Sequence, residues 1–599
     1  MAEAPNPQPD AGAHDTSPAA RARAVLEGMG APAALAEPLV AALGPGADAE
    51  LAADPWRLLA LPGITPEQAD FCARRALGEA AAPDDPRRGR AVVAHLLRRA
   101  VREGHTAVEE RRLAEAVRSM GVRSPGPALT AALDDGEVMV FEAFEEPDDV
   151  LGDDGEPAEM PDPDRYYAPA HIGLAEQDLG EGVVRLTATA EPIMDPATAA
   201  ETVDAVADRL GAEIAPETAA AVAAAALRGV CVLTHGAGAE QAVAHVLACL
   251  DAVAADSETG IAVAAPTAQA AAAINAALEG LAGVAARAVP LPRLLECRAP
   301  GVYGRGAENP IDAGLVVVAG AMAVDVERAA ALVEACADGT HLVLLADPAQ
   351  APSAGPGRVA ADLAESGTVA VAALPDGPEP GPVARLAGLV AGGELGRVEA
   401  PDREVVVVPA ASAAEAAHRV VQVVADSIPR AVGVPADQVQ VVAATRGGEA
   451  GVDALNAACK ARLNPGSGAL GGFDPGDRVL FAADGPGYAA GDVGVLRAGE
   501  SGPVVDLADG SAAEVADPAV LRPGWAVTVA AAHGGAWPAV VAVFPPETRG
   551  SRPQVYTAVG TARRHLTIVH AAGPALARAV RESPAITRHT RLIPVLREG

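Results

Sequence analysis

The fold is decided by the stretch Val232 to Val243, VLTHGAGAEQAV. A short apolar run leads here into a glycine-rich turn, and a pattern typical of a helix follows. A strand, a glycine-rich turn and a helix in this order present backbone amides that can cradle a phosphate. The same order also describes an ordinary strand-to-helix turn. The stretch therefore predicts an α/β domain, and it predicts a phosphate site only where further motifs support one.

Apolar runs of the same kind recur after this stretch. GIAVAAP, GLVVVAG and HLVLLAD each end in a turn, which is typical of buried parallel strands. With the helical segments between them, they predict a doubly wound α/β domain over residues 200–374. A Pro/Gly-rich break at residues 375–382 precedes a second series, which begins with REVVVVPA and QVQVVAATR. We expect residues 375–599 to form a second α/β domain with a small β insertion near residues 476–520.

The N-terminal part of the chain has a different composition. Residues 1–18 are Pro, Ala and polar residues, which predicts a disordered tail. Residues 19–144 show short helical patterns broken by Gly and Pro. Between Glu142 and Asp164 lie eleven acidic residues, so we interpret residues 145–199 as an acidic linker and connecting segment.

Charge limits the classes of partner. With 599 residues and a net charge of -34, the chain is long enough for several domains and too acidic for a surface that wraps a polyanion. The charge is uneven, because residues 87–123 hold ten arginines against four acidic residues and a second basic island runs over residues 549–597. Local contact with nucleic acid stays open at these two places. Lys460 is the only lysine, so any site that requires a lysine has one candidate.

The cysteines and the apolar segments indicate where the protein resides. No C-x-x-C pair is present, which argues against a zinc site or a disulfide framework. The N-terminus lacks a basic region followed by an apolar one, and no run reaches the ~18 apolar residues of a membrane span. We therefore expect a cytoplasmic protein with no metal site and no membrane partner. The scattered cysteines are Cys72, Cys231, Cys249, Cys297, Cys336 and Cys459.

Over roughly residues 22–595, the order and spacing of motifs resemble the RecD-like superfamily 1 DNA helicase family, which is exodeoxyribonuclease V alpha-subunit-like. In that family the glycine-rich stretch reads approximately VLTGGPGTGKTT, where the lysine neutralises phosphates and the hydroxyl holds magnesium. Gly236 and Gly238 match this pattern. Glu240 stands in place of a glycine, Gln241 in place of the lysine and Ala242 in place of the threonine. The resemblance thus implies a nucleotide site without its counter-charge.

Two further motifs of the first α/β domain follow the family. NPIDAGLVVVAGAMAVD resembles NPLDADLLIVDEASMVD without a gap, but Ala319 and Gly320 replace the acid pair that binds the metal and activates water in the family. HLVLLADPAQAPSAGPGRVAADL resembles LVGDPDQLPSVGPGNVLADL and keeps Asp347 and Gln350. In the family this glutamine senses the γ-phosphate, and Gln350 is either such a sensor or a side chain that stabilises the turn.

Other motifs keep their spacing and lose their polar residues. Gln269 replaces the arginine of the family's APTGRAA. LRPGWAVTVAAAHGGAWPAV resembles LAYAITVHKSQGSEFPAV, with Ala-Ala-Ala-His at residues 530–533 in place of residues that grip DNA and nucleotide. VYTAVGTARRHL resembles LYTAITRAKKHL, with Thr561 at the arginine-finger position. We expect Arg563 and Arg564, two residues further on, to face elsewhere.

The resemblance implies an α/β fold of two tandem RecA-like P-loop-type domains with a small SH3-like β insertion, preceded by an all-helical domain that contains a helix-hairpin-helix unit. In DPWRLLALPGITPEQADFCAR, the tight turn of this unit offers backbone amides to a phosphate. We expect DNA contact to run through this domain and not through the helicase cleft. The candidate DNA-binding residues are Gly63, Arg87, Arg88, Arg90, Arg98 and Arg99.

Three functions remain open. Glycines, prolines and strand residues persist while the chemical residues are lost, which favours an inactive pseudo-helicase that binds DNA or a repair or recombination protein and needs no cofactor. The first alternative is an active ATP-dependent 5′-to-3′ DNA helicase that uses ATP and magnesium. The second is an interaction scaffold with no nucleic-acid role, which the overall acidity favours.

Overall fold

The chain divides into two compact units, Met1–Gly173 and Leu174–Gly599. Within the part of the chain described, no helix has both the length and the apolar character that a membrane span requires. Most of the predicted tail and most of the acidic part of the predicted linker lie outside the described residues. The computed structural model describes residues 17–143, 163–377, 380–500, 502–548 and 550–598.

The first unit is mainly helical, which confirms the helical N-terminal domain. Two of its helices begin at capping residues: the Thr65 hydroxyl accepts a hydrogen bond from the Gln68 amide, and the Asp85 carboxylate accepts one from the Arg87 amide. Trp56 is fully buried at the centre of its core. The helices are α1 (Pro18–Gly28), α2 (Ala36–Leu43), α3 (Ala47–Ala53), α4 (Pro66–Leu77), α5 (Pro86–Arg102), α6 (Glu110–Ser119) and α7 (Pro125–Asp134).

A three-stranded antiparallel sheet completes this unit, and the sequence did not predict it. The strands are β1 (Val108–Glu109), β2 (Val138–Ala143) and β3 (Asp164–Pro169), in the order β1-β3-β2. The acidic run separates the paired strands β2 and β3 along the chain, so no short-range turn pattern marks their pairing. The domain boundary expected at residue 144 therefore falls between two strands of one sheet.

The first half of the second unit is a doubly wound α/β domain. Its six strands are all parallel, in the order β6-β5-β7-β8-β4-β9, and β7 and β8 are buried along their whole length. The predicted parallel strands are thus confirmed. The elements are α8 (Ala170–Thr189), α9 (Pro196–Leu210), α10 (Pro216–Leu227), β4 (Val230–Thr234), α11 (Glu240–Asp256), β5 (Ile261–Ala265), α12 (Ala268–Glu279), β6 (Ala288–Pro290), α13 (Leu291–Leu294), β7 (Leu315–Ala319), α14 (Val326–Glu334), β8 (His341–Ala346), α15 (Val359–Ser366) and β9 (Ala370–Ala373).

The second half repeats this architecture around a five-stranded parallel sheet, in the order β10-β19-β18-β11-β17. The tandem RecA-like arrangement is thereby confirmed. Its elements are α16 (Pro382–Ala391), β10 (Val405–Pro409), α17 (Ala413–Gln422), α18 (Ile428–Ala431), β11 (Val439–Ala443), α19 (Val452–Leu463), then, after the insertion, β17 (Ala526–Thr528), β18 (Trp537–Phe544), α20 (Arg552–Gly560), β19 (Ala562–His570), α21 (Pro574–Glu582) and α22 (Leu592–Glu598).

The β insertion lies between α19 and β17. It is a five-stranded antiparallel sheet, in the order β15-β14-β13-β12-β16, and Phe481 stacks on Tyr488 in its core with ring centroids 3.9 Å apart. Lys460 on α19 ties down the loop that enters the insertion, because its ammonium group donates to Asp474 at 2.7 Å and to Asp477 at 2.6 Å. The strands are β12 (Arg478–Phe481), β13 (Val493–Ala498), β14 (Pro503–Leu507), β15 (Ala512–Glu514) and β16 (Leu521–Pro523).

Candidate functional site

The glycine-rich turn joins β4 to α11, and Gly238 takes the left-handed conformation there with φ 87°. The segment that links the two α/β halves packs against this turn. A Cβ atom on Gly238 would lie 3.3 Å from the side chains of Pro380 and Ala384, and a Cβ on Gly236 would lie 3.0 Å from an Asp376 carboxylate oxygen. The left-handed backbone favours glycine at Gly238, and the linking segment leaves little room for a side chain at either position.

A cavity of ≈ 480 Å³ opens beside the turn, a volume typical of small-molecule sites. One wall is apolar and comes from α11 and α12, including Leu247 and Ile274. Gln241 and Ala242 do not line the cavity, and the Gln241 side chain is exposed. The sequence-predicted residues that do line it are Gly236, Gly238, Ala319, Gly320, Asp347, Gln350 and Thr561.

Asp347 is the only one of these residues with a carboxylate, and that carboxylate is engaged within the protein. Tyr556 on α20 donates its hydroxyl to Asp347 Oδ2 at 2.6 Å, and the Ala349 amide donates to Oδ1 at 3.1 Å. Burial raises the pKa of Asp347 and that of Tyr556. The side chain of Asp347 thus ties the first α/β half to the second.

Arg563 and Arg564 both line the cavity, so the expectation that they face elsewhere is wrong. The cause is a β-bulge, because β19 advances three residues from Ala562 to His565 while β18 advances two. Both arginines then lie in the bulge and are exposed, where regular alternation would have turned one of them inward. The Arg563 guanidinium donates to Glu240 Oε1 at 2.8 Å.

This set of side chains does not fit a magnesium-bound triphosphate. A working site needs a cation at the glycine-rich turn and a carboxylate after the neighbouring strand. The turn instead carries Glu240, whose carboxylate is paired with Arg563, and β7 ends at Ala319 with Gly320 directly after it. Like charges at short range oppose the approach of phosphates. In the described part of the chain, no group of three or more His, Cys, Asp and Glu side chains could hold a metal ion.

A second cavity, ≈ 470 Å³, lies beside the loop after β17, and residues 530, 531 and 533 line it. The β insertion closes one side of it. Gln269 donates to the Gly491 carbonyl at 2.7 Å and accepts from the Val493 amide at 3.3 Å. Asp492, which is fully buried, accepts from the Ala268 amide at 2.6 Å at the N-terminus of α12.

The internal contact of Asp492 has an electrostatic consequence. Its carboxylate occupies a helix N-terminus that would otherwise attract an anion. Burial raises the pKa of Asp492 to about 6.

Two ion pairs join the insertion to the first α/β half: Arg328 binds both carboxylate oxygens of Asp484 at 2.8 and 3.0 Å, and Arg293 binds Asp509 at 2.7 Å.

His533 contacts the loop after β8. Its Nε2 lies 2.5 Å from the Ala351 carbonyl, and burial lowers the pKa of His533 to about 4, so the ring is neutral at pH 7. The Ala351 amide in turn donates to Thr557 Oγ1 at 2.8 Å. His533 thus joins the second half to the loop after β8 in the first half.

In the first unit, Gly63 lies in an exposed turn with φ 84°, as the helix-hairpin-helix pattern predicts. Several of the candidate arginines are buried or paired within the unit. Arg88 is buried and binds Asp70 at 2.8 Å, and Arg90 forms ion pairs with Asp54 and Asp135. The remaining candidates also have partners within the unit: Arg87 binds Asp85, Arg98 binds Glu137 and Arg99 binds Glu103.

The structure points to other arginines that a count of charges could not separate from these. Arg102, Arg111 and Arg118 are exposed and form no ion pair with a described residue. Sequence reasoning also missed Pro380 at the first cavity and Asp376 beside Gly236, because both lie in the Pro/Gly-rich break that it treated only as a boundary. Close packing against the glycines of the turn is visible only in three dimensions.

Two family models match the chain. Residues 17–107 match the "ATP-dependent RecD2 DNA helicase HHH domain" and residues 218–356 match the "AAA domain". The second match contains β4, the glycine-rich turn and β8. Together they confirm the resemblance to RecD-like superfamily 1 helicases. No curated protein sequence matches the chain.

Solved structures show weaker similarity. The Pif1 helicase from Bacteroides in complex with ADP-AlF3 and ssDNA is 15% identical, with a TM-score of 0.34, over 56% of this chain and 88% of that one. The Pif1 helicase from Candida albicans is 12% identical, with a TM-score of 0.35, over 60% and 94%. The Arterivirus nonstructural protein 10 helicase with DNA is 11% identical, with a TM-score of 0.28, over 61% and 65%.

Proposed function

We propose that this chain, which carries a RecD2-type helix-hairpin-helix domain and an AAA domain, is a non-catalytic helicase relative that binds DNA through its first unit. It acts without ATP turnover, as a binding or scaffolding factor in DNA repair or recombination. The observation that carries the proposal is the ion pair between Glu240 and Arg563, which places a carboxylate at the glycine-rich turn and engages an arginine of the cleft.

The charges around the turn support the absence of turnover. Hydrolysis depends on electrostatic stabilisation of the transferring phosphoryl group, which positive groups and a metal ion supply. Here Glu240, Asp347 and Asp376 bring carboxylates to the turn or its neighbourhood, and Arg563 is already paired. A triphosphate would have to displace internal contacts and approach negative charge.

Two exposed cations, Arg446 and Arg522, line the second cavity, but other side chains that the resemblance assigns to DNA contact are internal or lost. Gln269 is buried beneath the β insertion, and alanines occupy positions 530 and 531. Phosphate contacts require exposed cations. Arg102 on α5 and the arginines 111 and 118 on α6 meet that requirement in the first unit.

Fluorescence anisotropy of the full chain with labelled DNA tests this proposal. The triple variant Arg102→Glu, Arg111→Glu, Arg118→Glu should weaken binding at low salt at least tenfold. It should also lower the slope of log affinity against log salt by up to about 2.7, at roughly 0.9 per phosphate contact. A matched control with the same change in net charge, Arg298→Glu, Arg397→Glu, Arg430→Glu, places its substitutions on exposed arginines of the second unit.

The control should bind within about twofold of the wild type. Equal losses in both triple variants would show that net charge alone governs binding and would contradict the assignment to the first unit. An interaction scaffold with no nucleic-acid role is the second candidate, which the net charge of -34 favours. That candidate takes over if the wild-type chain binds neither duplex nor single-stranded DNA at low salt.

A further inference from the structure

Phe71 on α4 is 49% exposed, and it is the only exposed phenylalanine or tryptophan among the residues the structure describes. Aromatic residues make up only 2% of the chain, and the three tryptophans are buried. Exposure of a large aromatic ring to water is unfavourable by the hydrophobic effect. Phe71 is therefore the described phenylalanine or tryptophan ring most accessible to a ligand.

The surroundings of Phe71 are cationic. Arg74 and Arg75 follow it by three and four residues, so helical spacing places them beside the ring on the same face of α4, and both are exposed. The Arg75 guanidinium lies 6.0 Å from the ring centroid. Glu67 is the carboxylate one turn earlier on this face. The carboxylate of Asp70, which directly precedes Phe71, is bound to Arg88 at 2.8 Å.

The position of α4 in the chain adds a second feature. Its N-terminus follows the exposed turn at Gly63 by three residues, and Phe71 lies five residues into the helix from Pro66. At about 1.5 Å of rise per residue, the ring lies roughly 7.5 Å along the axis from the start of the helix. The turn, the ring and the two arginines therefore lie a short distance from one another along the helix axis.

From this geometry we infer that Phe71, Arg74 and Arg75 form a stacking platform for an unpaired nucleobase, with the arginines against the neighbouring phosphates. A planar ring with two cations one helical turn away offers a surface for a flat base and positive charge for the adjoining anionic phosphates of single-stranded nucleic acid. Bases inside a duplex are stacked on each other and unavailable to the ring. The first unit consequently prefers single strands or frayed ends over blunt duplex. This inference rests on the proposed DNA binding through that unit.

The full chain with Phe71→Ala, Phe71→Leu and Phe71→Trp tests the platform. Anisotropy with a labelled single strand and with a blunt duplex of the same sequence gives the two affinities. Stacking of one base on an aromatic ring accounts for about a 5- to 150-fold change in affinity. Phe71→Ala and Phe71→Leu should therefore lower single-strand affinity at least about fivefold, with duplex affinity changed less than twofold.

Phe71→Trp supplies a fluorescence signal that would not respond to DNA if the side chain at position 71 had only a structural role. It should retain single-strand affinity, and its tryptophan fluorescence should be quenched by the single strand and not by the duplex. Trp56, Trp525 and Trp537 are at most 7% exposed, so the added tryptophan is the accessible one. Val302→Ala, which alters a side chain 52% exposed in the second unit, is the control and should bind as the wild type does.

The results distinguish a failure of the stacking platform from a failure of the proposed DNA binding. If the wild-type chain binds single strands while Phe71→Ala binds them equally well and Phe71→Trp shows no quenching, the platform is refuted and the proposed function stands. Absence of binding to any DNA at low salt refutes both. A loss of duplex and single-strand affinity by the same factor in Phe71→Ala also overturns the platform, because a stacking site would discriminate between them.

Discussion

Arg563 Nη1 donates a hydrogen bond to Glu240 Oε1 at 2.8 Å, so the first residue of α11 and a bulged residue of β19 form an ion pair across the cleft between the two α/β halves. Both side chains are about half exposed, and such pairs contribute only about 0–1 kcal/mol to folding. The pair therefore matters for the charge at the glycine-rich turn more than for stability. It puts negative charge at the glycine-rich turn and engages a positive charge that a phosphate would need.

The substitution Gln241→Lys alone should not restore ATP hydrolysis. Gln241 does not line the cavity, and the end of β7 supplies no carboxylate for a metal because it carries Ala319 and Gly320. Phosphate release by purified Gln241→Lys protein should equal that of Gln241→Ala. A clear rate in the lysine variant and none in the alanine variant would show that the turn is a working phosphate site.

Removal of the Lys460 ammonium group should destabilise the second unit. Lys460→Ala leaves Asp477, whose side chain is 1% exposed, without the cation that binds both of its oxygens. A loss of about 1–3 kcal/mol in the free energy of unfolding is typical when a buried polar group loses its partner. Urea unfolding measures this loss.

Replacement of Lys460 by arginine tests whether the shape of the cation matters at this position. Lys460→Arg keeps the charge but replaces a compact ammonium group with a planar fork, so it should recover only part of the loss. Equal stability of wild type and Lys460→Ala would mean that the loop before β12 is held without this side chain.

Acidification from pH 7.5 to 5.5 should raise the melting temperature, in part through Asp492. Burial raises the pKa of Asp492 to about 6 from the ordinary value of 3.8, so between these two values the folded protein binds more protons than the unfolded chain. Stability therefore falls as pH rises through this window and is gained as pH falls. Asp492→Asn should show a smaller rise than the wild type under scanning calorimetry at constant ionic strength. An identical pH response in the two proteins would exclude this carboxyl as the cause.

The sequence predicts the scaffold well where one local pattern suffices. The runs that became β4, β5, β7 and β8 are apolar apart from Thr234 and His341, because both faces of a parallel sheet are covered by helices. The capping residues Thr65 and Asp85 likewise mark helix starts from local chemistry alone.

Long-range relationships were not predictable in the same way. The direction of the Arg563 side chain depends on a bulge in β19, and no residue type in the sequence predicts that bulge. Gln269 looks like a lost DNA contact in the sequence, and its amide in fact anchors the β insertion more than 220 residues later. Arg88 and Arg102 are equal in a count of charges, yet one binds Asp70 in the interior and the other is exposed.

DNA-stimulated phosphate release by the purified full chain is the most direct measurement of whether the protein turns over ATP. With Glu240 at the turn and neither a lysine nor an acid pair in the cleft, the rate should equal that of a mock-purified blank, with and without single-stranded DNA. A DNA-stimulated rate of roughly 1 per second or more, within the range of ordinary enzymes, would contradict a non-catalytic protein and establish an active helicase motor.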